Sequence, residues 1–291
     1  MQRYSVLKAE GRRIEFLFAG EPGTDPFFFL HGYNLRASTC APFAKALLKE
    51  SRGRYGQVIV PRLETLEDGT WRMPGRMDAY LGLVRTFIGA FRDGERRPYY
   101  LGGHSQGGAV ALLYTLGAEE PPQAVIPINN VKPTDCSPLG LIARVAHGQL
   151  EETVHAATGH SRVLGTVVAL DYVARALTQL PRFWAGLEDV AAFSWPEGKS
   201  DVPVYAIWGE NDQVFQYERK DAEELRRLYP ASVITTVPLG RHNILLRYPG
   251  LTARIIRRMI AGVTLLPEAE LGRASARSKP LLVPAYATQE T

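Results

Sequence analysis

Short apolar runs bounded by turn residues recur along the chain. The clearest is 27–30, four consecutive apolar residues between Asp25-Pro26 and His31-Gly32. A continuous run of this kind is typical of a strand buried on both faces of a parallel sheet, because a half-exposed strand alternates apolar and polar residues. The pattern therefore predicts a central strand that ends just before His31.

Strands and helices are predicted to alternate around this run. Two short β-prone runs flank Glu10-Gly11 and predict an initial hairpin. Apolar residues elsewhere recur at either strand or helix spacing. The predicted strands are 4–8, 13–19, 27–30, 58–60, 99–101, 124–128, 204–208 and 233–237, and the predicted helices include 38–50, one that carries Val84, Phe87, Ile88 and Phe91, and 107–116. This alternation favours an α/β fold, a three-layer sandwich with a mostly parallel eight-stranded sheet.

The interval 131–199 interrupts the alternation. It has helical periodicity and aromatic residues but no convincing strand, and prolines punctuate both of its ends, at Pro133 and Pro196. We expect a helical cap over 131–199 that covers the carboxyl edge of the sheet. The core would then comprise 1–130 and 200–262, and 263–291 would form a tail without hydrophobic period.

Composition narrows the class of protein. Hydrophobic residues make up 45% and charged residues 22%, which is ordinary globular usage. The 34 basic and 30 acidic residues are mixed along the chain, so a nucleic-acid partner is not expected. Two cysteines without metal-ligand spacing predict neither a metal site nor a disulfide scaffold, and no cofactor is expected. Without a leader-like N-terminus or an apolar run of about 18 residues, a cytoplasmic enzyme with no membrane span is expected.

One pentapeptide has the pattern of a reactive serine. Gly103-His104-Ser105-Gln106-Gly107 follows a predicted strand and precedes a predicted helix. A nucleophile on a tight strand-to-helix turn needs small neighbours so that its oxygen can project from the sheet. The alternative interpretation is structural, with the glycines making the turn and Ser105 capping the helix.

A reactive serine needs a base within hydrogen-bond reach and a group that orients that base. Of the six histidines, only His242 follows the last predicted strand. Asp212 follows the strand 204–208 and is the predicted acid, with Glu210 as the alternative because both lie in the same turn. Each could instead be an ordinary loop residue, Asp212 as a turn residue and His242 as a cap.

Further residues are expected around this serine. The backbone amides of Tyr33 and Gln106 are predicted to form an oxyanion hole, because acyl transfer places negative charge on the carbonyl oxygen. A small-molecule pocket is expected to be largely apolar with a few polar groups. The candidate substrate contacts are Asn34, His104, Tyr172, Phe183 and Trp184. The aromatic members could equally pack the cap onto the sheet.

Together these segments resemble the α/β-hydrolase superfamily, from about residue 4 to residue 262. The resemblance rests on the strand followed by His31-Gly32, the nucleophile turn 103–108, the acid turn 209–212 and the late His242, which occur in the order nucleophile, acid, histidine. It implies a helical cap after the sixth strand. Asn34 stands where many capped members have proline, and Ser105 replaces the aspartate nucleophile of epoxide hydrolases and dehalogenases.

The resemblance implies a serine hydrolase. The expected reaction is cleavage of an ester, thioester, lactone or amide bond of a small to medium, mostly apolar molecule through an acyl-enzyme. Two alternatives stay open. One is an acyltransferase or cyclase that uses the same three residues, and the other is a non-catalytic small-molecule binding protein of the same fold.

Overall fold

Eight of the described strands form a sheet that is parallel except near one edge. A computed structural model describes residues 2–33, 35–62, 65–67, 70–72, 76–93, 97–147, 173–174, 176–238 and 240–262. The strands are β1 (Gln2–Ala9), β2 (Arg12–Gly20), β3 (Pro26–Leu30), β4 (Gln57–Pro61), β5 (Thr65–Glu67), β6 (Thr70–Arg72), β7 (Tyr100–His104), β8 (Ala124–Ile128), β9 (Val204–Gly209) and β10 (Ser232–Val237). The sheet order is β1-β2-β4-β3-β7-β8-β9-β10, with β2 antiparallel to both neighbours, and β5 pairs separately with β6.

Helices cover both faces of this sheet. They are α1 (Ala41–Glu50), α2 (Met77–Phe91), α3 (Gln106–Thr115), α4 (Leu180–Ala191), α5 (Arg219–Leu228), α6 (Ile244–Arg247) and α7 (Pro249–Ile260). Successive side chains of a strand point to opposite faces, so Phe27 and Phe28 of β3 lie in different core clusters. Helices α2, α3 and α5 pack into the cluster of Phe28, and α1 and α7 into that of Phe27. The predicted three-layer α/β sandwich is confirmed.

The predicted elements are present with shifted bounds. Strand β7 runs through Gly102 and Gly103 to His104, beyond the predicted 99–101. Glycine is unfavourable within a strand by propensity, but a Cβ at Gly102 would come 2.8 Å from the ring of Phe27, so the packing requires it. The predicted helix 38–50 divides into a 3₁₀ helix, Ala37–Cys40, and α1, whose first turn contains Pro42. The β5–β6 pair was not predicted.

Between β8 and β9 the described residues contain helices but no strand. These are residues 138–147, residues 173–174 and 176–178, and α4, which together account for most of what is described of the predicted cap. Residues 148–172 and the predicted tail, 263–291, lie outside the described part of the chain. The division into core, cap and tail stays a prediction.

Candidate active site

Ser105, His242 and Asp212 lie in one chain of hydrogen bonds. The Nε2 atom of His242 is 3.1 Å from Ser105 Oγ, and its Nδ1 atom is 2.9 Å from Asp212 Oδ2. These residues follow β7, β10 and β9, whose carboxyl ends meet at the same edge of the sheet. Binding sites of open parallel sheets lie at this edge.

Ser105 sits on a strained turn between β7 and α3. Its φ of 53° and ψ of −120° are sparsely populated by residues other than glycine, and such strain is found mostly at functional sites. The turn closes tightly because Gly103 and Gly107 lack side chains. A Cβ at Gly103 would overlap the carbonyl of Gly107, and one at Gly107 would overlap the carbonyl of Leu30. These contacts meet the steric demand for a serine that projects from a sheet.

Asp212, and not Glu210, is the carboxylate that reaches His242. Asp212 is buried and its second oxygen accepts the backbone N–H groups of Val214 at 2.8 Å and Phe215 at 2.9 Å. Glu210 is exposed at the start of the same turn. The turn geometry therefore brings Asp212 to the imidazole, and its role as the acid stays a prediction.

His104 lies beneath the imidazole of His242. The two ring centroids are 4.9 Å apart, and His104 Nε2 is 2.8 Å from the backbone carbonyl oxygen of His242. Since a carbonyl only accepts, Nε2 must carry the proton. Burial, followed by the proximity of His242, lowers the pKa of His104 from 6.5 to about 3. His104 is therefore neutral at physiological pH and adds no positive charge next to the imidazole of His242.

The two predicted oxyanion donors belong to segments that adjoin Ser105. Gln106 is the first residue of α3, so its amide has no acceptor within the helix. Tyr33 follows Gly32, whose backbone lies close to the Ser105 turn: a Cβ at Gly32 would come 3.2 Å from Ser105 Cβ. Their role as an oxyanion hole stays a prediction.

An apolar cavity opens onto Ser105. Its described lining includes Ser105 and His242 together with Gly32, Tyr33, Leu35, His104, Val131, Leu141, Val145, Leu187, Val190, Val214, Phe215 and Asn243. Aliphatic side chains predominate, and those of Leu141, Val145, Leu187 and Val190 come from the helices between β8 and β9. The described lining around the serine is therefore largely apolar.

The predicted substrate contacts divide into three groups. His104 lines the cavity. Phe183 does not; its ring packs against that of Tyr33, with the centroids 5.6 Å apart, and the Tyr33 hydroxyl donates to the Phe183 carbonyl at 2.7 Å. Trp184 also lies outside the lining, and its Nε1 donates to Glu188 of the same helix at 2.6 Å. Asn34 and Tyr172 lie outside the described residues.

Several residues of the site were not predicted. Val214 and Phe215 lie two and three residues after Asp212, and their apolar character in a turn otherwise rich in polar residues was a usable signal. Asn129, buried at the end of β8, contacts the turn that carries His242. The only indication of this role in the sequence was the position of Asn129 directly after the predicted strand 124–128.

Other kinds of site find little support in the described part of the chain. It contains no group of three or more metal-ligating side chains and no helix long and apolar enough to cross a membrane. Cys40 and Cys136 are both free thiols. Burial raises the pKa of Cys40 to about 12, so this thiol is a poor nucleophile at neutral pH.

Comparisons with known proteins agree with the fold. A family model described as the alpha/beta hydrolase family matches residues 27–255. No curated protein sequence matches the chain.

Solved structures show the same fold at low sequence identity. A 2-hydroxy-6-oxo-6-phenylhexa-2,4-dienoate hydrolase from Rhodococcus sp. strain RHA1 is 17% identical, with a TM-score of 0.68 over 90% of this chain and 99% of that one. A serine hydrolase involved in carbazole degradation is 15% identical, with a TM-score of 0.68 over 90% and 99%. An epoxide hydrolase variant from Solanum tuberosum is 13% identical, with a TM-score of 0.69 over 90% and 100%.

Proposed function

The chain belongs to the alpha/beta hydrolase family, and from that premise we propose that it is a serine hydrolase in which Ser105 is the nucleophile, His242 the base and Asp212 the acid that orients the base. The substrate is an ester, thioester, lactone or amide of small to medium size and mostly apolar character. One observation carries the proposal: the imidazole of His242 contacts Ser105 Oγ through one nitrogen and Asp212 through the other.

The first half-reaction forms an acyl-enzyme. As Ser105 Oγ attacks the substrate carbonyl, its proton passes to Nε2 of His242, while Nδ1–H stays hydrogen-bonded to Asp212. The oxyanion of the tetrahedral intermediate accepts hydrogen bonds from the amides of Tyr33 and Gln106, and loss of one such donor typically costs about 10² to 10³ in kcat. His242 then gives the proton to the leaving group as the bond to the carbonyl carbon breaks.

The second half-reaction releases the acid. A water molecule loses a proton to His242 and attacks the acyl carbon, and the proton returns to Ser105 Oγ as the ester bond breaks. An alcohol or amine in place of water would give acyl transfer instead. Product analysis with an added alcohol separates the two outcomes, because hydrolysis yields the free acid and transfer yields a new ester.

The lining of the cavity supports an apolar substrate. Aliphatic side chains form no hydrogen bonds. A polar substrate group buried against them would therefore stay without a hydrogen-bond partner, at a cost of about 1 to 3 kcal/mol. An alkyl or aryl group gains about 0.8 kcal/mol for each methylene it buries. The site therefore favours an acyl or alcohol portion without charge.

Replacing the nucleophile tests the proposal. Ser105→Ala removes Oγ and is expected to lower kcat for p-nitrophenyl butanoate by at least about 10³-fold. Ser51→Ala is the matched control, since Ser51 has a similar burial of 7% against 8% and lies at the end of α1. Full activity in Ser105→Ala, with the control also active, would remove Ser105 from the reaction.

A further inference from the structure

The side chain of Asn129 connects three elements at the edge of the sheet. Asn129 directly follows β8 and is fully buried. Its Oδ1 accepts the backbone N–H of Gly209 at 2.7 Å. Its Nδ2 donates to the carbonyl of Arg241 at 2.8 Å and to that of His242 at 2.7 Å. Every polar atom of this carboxamide is therefore bonded to a main-chain group that is distant in the sequence.

The two segments that Asn129 holds are those that carry the acid and the base. Gly209 is the last residue of β9 and leads into the turn that carries Asp212, and its backbone is so close to that of Gly240 that a Cβ there would overlap the Gly240 carbonyl. Arg241 and His242 belong to the turn that follows β10. The turns are joined directly by the Asn211 N–H, which donates to the Gly240 carbonyl at 2.8 Å, and the Asn129 side chain adds a bond to each of them.

The pattern of bonds requires a carboxamide at this position. An aspartate side chain has the same shape, but its ionised carboxylate has no hydrogen-bond donor. A serine or threonine hydroxyl has only a single donor. Asn129 also has a φ of 42°, a conformation that asparagine and aspartate tolerate better than other side chains. Shape, hydrogen-bonding capacity and backbone conformation all select asparagine.

A second donor acts on the same carbonyl. His104 Nε2 lies 2.8 Å from the carbonyl oxygen of His242 that Asn129 also contacts. The main chain of His242 is therefore held from two directions, by residues that follow or end neighbouring strands.

Resting on the proposed function, we propose that Asn129 is a positioning residue of this hydrolase. Its carboxamide holds the backbone of His242 so that the imidazole spans Ser105 and Asp212. Asn129 is absent from the described cavity lining, so it acts through His242 and not on the substrate. A misplacement of about 1 Å at a reacting group can cost about 10²-fold in rate, so a residue that fixes this backbone contributes to kcat.

Asn129→Asp tests this role while keeping shape and the acceptor for Gly209. It removes both donors and points a carboxylate oxygen at two carbonyls. We expect kcat to fall by about 10- to 100-fold with KM within about two-fold of wild type, because positioning is lost and the pocket is unchanged.

Asn130→Asp is the matched control. Asn130 is as buried as its neighbour, accepts the Trp208 Nε1–H at 3.1 Å and donates to the Val131 carbonyl at 2.9 Å. Its replacement also buries a carboxylate but leaves the His242 turn untouched. Kinetics of Asn130→Asp close to wild type, with a large loss in Asn129→Asp, support the proposal.

A spectroscopic readout separates positioning from general destabilisation. The His242 Nδ1 proton, shared with Asp212, gives a low-field proton resonance that we expect to shift or broaden in Asn129→Asp and to persist in Asn130→Asp. If the buried charge prevents folding, Asn129→Gly keeps the positive φ and removes the amide without adding charge, and the same loss in kcat is expected.

The outcomes distinguish this inference from the proposed function. A kcat in Asn129→Asp or Asn129→Gly within about three-fold of the Asn130→Asp value, with the resonance unmoved, overturns the positioning role. Unchanged turnover in Ser105→Ala overturns the hydrolase proposal instead, and the resonance then still reports whether Asn129 holds His242.

Discussion

At the scale of single residues, Asp212 contacts the imidazole of His242 and is proposed to orient it. Its carboxylate accepts hydrogen bonds from the Nδ1–H of His242 and from two backbone N–H groups, so its position is fixed from several sides. An amide in its place would present a donor to Nδ1 and stabilise the wrong tautomer of His242. One oxygen of residue 212 already accepts two backbone N–H groups, so the atom that faces Nδ1 must also be an oxygen that accepts.

The first prediction compares the two carboxylates of this turn. Asp212→Asn is expected to lower kcat by about 10⁴-fold, as loss of the orienting carboxylate does in serine hydrolases. Glu210→Gln is the control, because Glu210 is exposed and lies in the same turn, and it should change kcat by less than about three-fold. Steady-state kinetics on one ester measure both, and the reverse ranking would assign the role to Glu210.

The second prediction concerns His104 and pH. Its pKa in the folded protein, about 3, lies below the ordinary 6.5, so the folded state binds fewer protons than the unfolded state between these values. Its contribution to stability is complete above about pH 6.5 and is lost as the pH falls toward 3. The slope for one such group approaches about 1.4 kcal/mol per pH unit.

Urea unfolding at several pH values between 7.5 and 4 measures this slope. His104→Gln keeps an N–H donor for the His242 carbonyl but has no titrating ring. We expect its stability to depend less steeply on pH than that of the wild type, by about one proton. Identical slopes in the two proteins would show that His104 does not stay neutral in the fold.

At the residue scale, local patterns in the sequence pointed to Ser105 and His242, and the structure brings these two side chains into contact. Ser105 lay between glycines at a strand-to-helix turn, and His242 followed the last strand. Asn129 gave no such signal, because its partners are 80 to 113 residues away in the chain. Hydrogen bonds between distant main-chain groups leave no local pattern.

At the scale of elements, the helices between β8 and β9 complete the cavity. Leu141 and Val145 come from residues 138–147, and Leu187 and Val190 from α4. The spacing of each pair, three or four residues, places both side chains on one face of the helix. The interval 131–199 was predicted to be helical as a whole, but which side chains reach the serine depends on how the helices pack.

The third prediction concerns Leu187 and the length of the acyl group that the cavity accepts. Leu187→Ala removes a nearly buried side chain from the cavity wall, at 3% exposure. Longer acyl groups then fit, and we expect the ratio of kcat/KM for hexanoyl to acetyl p-nitrophenyl esters to rise by at least about 10-fold. This ratio does not depend on the fraction of folded enzyme.

Leu225→Ala is the control for loss of core packing. Leu225 is fully buried on α5 and is absent from the described cavity lining. Both substitutions should destabilise the protein by about 2 to 5 kcal/mol, as buried leucine-to-alanine changes do. Only Leu187→Ala should change the acyl preference, and an unchanged ratio would mean that α4 does not bound the acyl site.

Element prediction failed where propensity and packing disagree. The run through Gly102 and Gly103 did not look like a strand, yet β7 extends along both because Phe27 packs over Gly102 and the chain turns back to Gly107. Buried apolar runs such as β3 were predicted closely. A strand buried on both faces appears in the sequence as a continuous apolar run. A close approach of two backbone segments appears in the sequence only as a glycine.

At the scale of the whole molecule, the parallel sheet is what brings the candidate residues together. Ser105, Asp212 and His242 are far apart in sequence but follow strands that lie near one another in the order β7-β8-β9-β10. Because these strands are parallel, their carboxyl ends share one edge. The architecture and the approximate site could therefore be predicted from the alternation of elements, while the choice of carboxylate and the cavity lining needed coordinates.

In the proposed reaction, Ser105 carries the acyl group during turnover. Mixing the protein with p-nitrophenyl butanoate, quenching in acid within the first turnovers and mapping the peptides by mass spectrometry tests it directly. We predict a butanoyl adduct on the peptide that contains Ser105, absent from Ser105→Ala. Turnover without an adduct on Ser105, or an adduct on a different residue that disappears when the substrate is exhausted, would contradict the account.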